Sequence, residues 1–120
     1  MILEAIHTTI KSIIPAYPLV GDIEAVTPFC IYRATPQPMR DKNGVDAYTY
    51  TVEIGIVDAS PNTVNTYTES IKTAILAMSG TINSTEILAV IETDESGIYF
   101  QSADQVYIND LEFKIFTKNR

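Results

Sequence analysis

Between Tyr48 and Met78 the apolar period changes from two to about 3.6 residues, and no other feature constrains the fold as tightly. Tyr48, Tyr50, Val52, Ile54 and Ile56 alternate with Thr49, Thr51, Glu53 and Gly55. Such alternation, rich in β-branched and aromatic residues, predicts a strand with one buried face. After Ala59-Ser60-Pro61-Asn62, the residues Val64, Tyr67, Ile71, Ala74, Ile75 and Met78 recur every three or four positions, as one stripe of an α-helix does. Ser60 or Asn62 can cap its first turn, and Pro61 costs little there because its missing N–H would be unbonded anyway. Ser79-Gly80 supplies a stop.

The flanking segments complete a small fold. Ile2, Leu3, Ile6, Ile10, Ile13 and Ile14 share one helical face, which predicts a first helix from Ile2 to Ile14 ended by Pro15. Ala16 to Glu24, with Pro18 and Gly21-Asp22, reads as an irregular connection. Pro28 to Arg33 reads as a short strand with its proline at an edge or first position. From Ala34 to Asp46, Pro36, Pro38, Asn43-Gly44 and the charges Arg40, Asp41 and Lys42 predict a long hairpin arm. Asn43-Gly44 suits a type I′ turn at its tip.

Thr85 to Glu92 should be a strand, Asp94 to Gly97 a turn, and Ile98 to Phe100 a short strand or packed loop. In the last strand, Gln105 to Thr117, Leu111, Phe113 and Ile115 oppose Glu112 and Lys114, and Asn109-Asp110 marks a bulge. The expected class is α+β: a mostly antiparallel four- to five-stranded sheet with two helices on one face. The order is α-β-(long arm)-β-α-β-β(-β), in a single domain over residues 1–120 with the arm at about 34–47.

Charge narrows the partners. Fifteen acids against eight bases give a net charge of −7. Duplex binding needs clustered Lys and Arg to displace counterions, so sequence-specific nucleic acid is disfavoured, as is an anionic membrane surface. Cys30 is the only cysteine, so no internal disulfide can form. The stretch from Met1 to His7 lacks the basic region of a signal peptide, and no apolar run approaches the roughly 20 residues of a membrane span. A soluble protein made without an export signal is expected.

Chemistry is sparse. His7, the only histidine, flanks the buried stripe of helix 1 and has no companions at ligand spacing. Cys30 sits in an apolar strand with Arg33 on the other face, and reads as a small packed hydrophobe. Glu92, Asp94 and Glu95 lack the order of a calcium loop and read as a solvated acidic turn. The five glycines are scattered, so no phosphate cradle is present, and no nucleophile elbow surrounds a serine. No catalytic residue, metal site or cofactor is expected. Seven tyrosines suggest core margins and interfaces. The second face of the central strand, with Thr49, Thr51 and Val57, is not strongly water-seeking and invites a partner, including another copy.

Taken together, the Ile-rich first helix, the strand Pro28-Phe29-Cys30-Ile31-Tyr32 and the Pro- and Gly-containing arm to Asp46 resemble the tail terminator or tail completion proteins of long-tailed bacteriophages. The run Tyr48 to Asp58 into the helix from Pro61, and the closing Leu111 to Phe116, extend that resemblance over nearly all 120 residues. It is a succession of elements and not a signature motif. The resemblance implies six copies closing into a ring that caps the tail tube, ends its polymerisation and joins it to the head. Its partners would be itself, the tail-tube protein and a head-completion protein, in a virion tail assembled in the bacterial cytoplasm. In such rings the arm orders on assembly, which maps here to Pro36 through Asp46, including Gln37, Met39, Arg40, Asp41 and Lys42, with Arg33 at the root. A locally basic arm on an acidic body suits heterologous contacts that close a ring.

Neck connectors and tube-like subunits share these expectations. Two readings of other classes stand beside them. One is a small α+β ligand-binding or regulatory module with a tyrosine-lined pocket. The other is an acid–base enzyme using Glu53 or Asp58.

Overall fold

A computed structural model of the chain describes residues 2–18, 28–41, 44–82, 85–103 and 105–118. In chain order these form α1 (Ile2–Ile10), β1 (Ala16–Pro18), β2 (Phe29–Asp41), β3 (Gly44–Asp58) and α2 (Pro61–Leu76). They continue with β4 (Gly80–Ile82), β5 (Thr85–Glu95), β6 (Tyr99–Gln101) and β7 (Val106–Lys118). The class is α+β, as the alternating and helical periods predict, and both helices pack on one face of the sheet. The strand order is β1-β2-β3-β7-β5-β4, with β6 also beside β7. Every pairing is antiparallel except the short β1–β2 contact.

β3 earns its central place from its alternation. Val52, Ile54 and Ile56 are buried under the helices, beside Cys30 and Tyr32 of β2 and Leu111, Phe113 and Ile115 of β7. The helices answer with Ile2, Ile6 and Ile10 from α1 and Val64, Ile71 and Ile75 from α2, all in the same core. Ser60 caps α2, its Oγ accepting from the Thr63 N–H at 3.4 Å, and Pro61 follows at the first helical position. Asn62 is therefore not the cap.

Several boundaries differ from the sequence expectation, each for a physical reason. α1 stops at Ile10, not Ile14: the Ile13 N–H reaches back only three residues to the Ile10 carbonyl, at 2.9 Å. Ile14 is still buried. α2 ends at its Ala77 cap, and Gly80, at φ +69°, comes three residues later to open β4. The long strands β2, β3, β5 and β7 make the expected antiparallel sheet, and among the described residues three further strands extend it: β1, β4 and β6, three-residue pieces too short to carry a period. The segment beginning at Ala16, read as irregular, opens with β1.

The expected arm is the outer part of the sheet itself. β2 runs 13 residues, past Arg33 and through Pro36 and Pro38, and pairs with β3 as far as Asp41 opposite Gly44. β7 accompanies β3 down to Ala47, so only the last few residues of the hairpin extend beyond it. This hairpin helps make the molecule long, 51 × 25 × 22 Å, with a radius of gyration of 15.0 Å. A compact chain of this length would have about 13.6 Å. Asn43 of the expected tip turn lies outside the described residues.

The expected bulge at Asn109-Asp110 sits on the facing strand. β7 pairs regularly with β3 through both residues. On its other side β5 ends opposite Leu111 and β6 begins opposite Ile108, so residues 96–98 loop out over 109–110. The Ser96 N–H donates to the Asp110 carbonyl at 2.9 Å, and the Asp110 N–H to Ser96 Oγ at 3.0 Å. Gly97 takes φ +80° within this loop. Asp94 and Glu95, expected in the turn, belong to β5.

Candidate assembly surface

The register defines what lies on the face away from the helices. Arg33, Glu53, Glu112 and Asp94 form one cross-strand row, and Ile31, Gly55 and Asp110 form the next. These two rows line an open depression of about 350 Å³. Gly55 lies at its floor: a Cβ there would meet Asp110 Oδ1 at 3.1 Å and Ile31 Cγ1 at 3.4 Å. Towards the hairpin tip the rows become Thr35, Thr51, Lys114 and Ile91, then Gln37, Thr49, Phe116 and Ala89. Lys118, opposite Ala47 and Glu86, ends the series. No helix covers this face among the described residues.

Charge is therefore graded along the face. The Arg33 guanidinium donates to Glu53 Oε2 at 2.7 Å, with both side chains about half exposed. Asp110 Oδ2 accepts from the Tyr99 hydroxyl at 2.7 Å, which raises the tyrosine's pKa by hydrogen bonding to the carboxylate, with burial adding to it. Glu112 Oε1 accepts from Thr93 Oγ1 at 2.9 Å, and Asp94 Oδ1 from the Glu95 N–H at 2.9 Å. Among the described residues, Asp94, Asp110 and Glu112 have no cationic partner.

The helix side has a different polar cluster. Lys72 of α2 pairs with Glu95 and, at 3.5 Å, with Glu92. That contact holds Glu95 below the usual carboxylate range, through the Lys72 hydrogen bond first and the Asn109 bond second. Asn109, buried on β7, donates to Thr68 Oγ1 at 3.1 Å and to Glu95 Oε2 at 3.0 Å. The acids 92 and 95 are thus not a free solvated turn: β5's pleat turns them onto α2. No group of three or more His, Cys, Asp or Glu residues is placed to hold a metal ion among the described residues.

Three comparisons bear on this fold. No family model matches the chain, and no curated protein matches it in sequence. Among solved structures, a chain described as "Virion of native gene transfer agent (GTA) particle" aligns with a TM-score of 0.71 at 10% identity. The alignment covers 95% of this chain and 84% of that one. The fold resembles that of a virion chain. At this identity the likeness is one of architecture.

The residues predicted for the arm fall unevenly on this surface. Arg33 lies in the acidic row, paired with Glu53, and Gln37 lies four residues outward, exposed and opposite Thr49. Met39 and Arg40 flank the register shift in β2, and Asp41 ends the strand opposite Gly44. Lys42 lies outside the described residues, as do the side chains of Met39, Arg40 and Asp41. His7, on helix 1, holds the Tyr32 hydroxyl at 2.9 Å from its Nδ1, and Cys30 is wholly buried.

Sequence reasoning missed the depression. Its carboxylates come from β3, β5 and β7, which lie far apart in sequence and meet only through register. The alternation of Asp110, Glu112 and Lys114 along β7 was the available signal. Tyr48 and Tyr50 stack on the helix side with ring centroids 5.9 Å apart, away from the depression, whereas Tyr32 lines it and Tyr99 reaches its Asp110.

Proposed function

We propose that this chain is a structural subunit of a phage-like tail. In this reading six copies close into a ring that caps the tail tube, ends its polymerisation and joins it to the head. The observation that carries the reading is the end-to-end likeness to a gene transfer agent virion chain. The uncovered, charge-graded sheet face supports it, because a subunit that closes a ring needs two unlike surfaces that fit each other. The reading includes no catalytic role: Glu53, one of the two acids considered for chemistry, is engaged by Arg33 on an open surface. Asp58 accepts from the Ser60 N–H at 3.2 Å and so belongs to the turn before α2.

The direct test mixes purified protein with tail tubes assembled from the tube protein of the same particle. Electron microscopy should show a ring seated on one tube end, and tube length should stop increasing. Protein that stays monomeric by light scattering at high concentration, and does not bind tubes, overturns the reading. Self-polymerisation into tubes would instead select a tube-like subunit.

A further inference from the structure

We draw no further inference here: the strongest candidate, the outer edge of β5 beyond its short pairing with β4, where Leu88 and Ile91 are exposed, is an apolar surface patch that nothing in the structure shows to be covered by any particular partner.

Discussion

The Cys30 N–H donates to the Pro15 carbonyl at 2.8 Å, towards β1 and away from β3. In an antiparallel pair the donors of alternate residues point the same way, so positions 32, 34, 36 and 38 of β2 also face outward. Pro36 and Pro38 stand at two of these positions, past the end of β1, where their missing N–H groups remove donors from an edge that no strand pairs among the described residues.

Replacing both prolines with threonine restores a flat edge with two free donors. Pro36→Thr with Pro38→Thr should cost the monomer about 0.8–2 kcal/mol, roughly 0.4–1 kcal/mol for each proline, through a freer unfolded chain. Its larger effect should be irregular edge-to-edge association. Turbidity and light scattering check this, and a double variant as dispersed as wild type would show that the prolines do not guard the edge.

Lys72 should make stability depend on pH at both ends. Glu95 titrates below its unfolded value because of Lys72 and Asn109, so its contribution is present above about pH 4.3 and is lost as pH falls through the folded value. Lys72 titrates above its unfolded value, chiefly through its bond to Glu95, so its share is present below about pH 10.4 and is lost as pH rises through the folded value. Lys72→Ala should lower stability near neutrality by about 0.5–1 kcal/mol and flatten the acid limb. Urea melts from pH 3 to 8 measure both, read as shifts of the midpoint at unchanged slope.

Burial pushes the Cys30 thiol up to about 12. Only the thiolate reacts quickly, so the folded protein should resist alkylation at pH 8 and react fully in denaturant. The native reaction rate, followed by mass spectrometry, should track opening of the fold. Rapid native labelling would contradict the packing of β2 against the helices.

Asn109 is the polar residue on which the α2–β7 contact depends. Asn109→Ala strands buried Thr68 and removes a donor from Glu95, and should cost about 1–3 kcal/mol. Asn109→Asp should cost more at neutral pH, by placing a second carboxylate against Glu95, and should recover on acidification. Chemical denaturation at two pH values separates the cases.

Local sequence determined much of this fold. The alternation from Tyr48 to Ile56 fixed β3, and the three-to-four spacing from Val64 fixed the buried stripe of α2 behind its Ser60 cap. These patterns are local because a pleat repeats every two residues and a helix every 3.6, so a short window holds the whole signal. Tertiary structure alone decided the three-residue strands, the run of β2 through two prolines, and which acids share a surface. Glu53, Asp94 and Glu112 become neighbours only when β3, β5 and β7 are set side by side. Hydrogen-bond register between distant segments carries that information, and no stretch of chain contains it by itself.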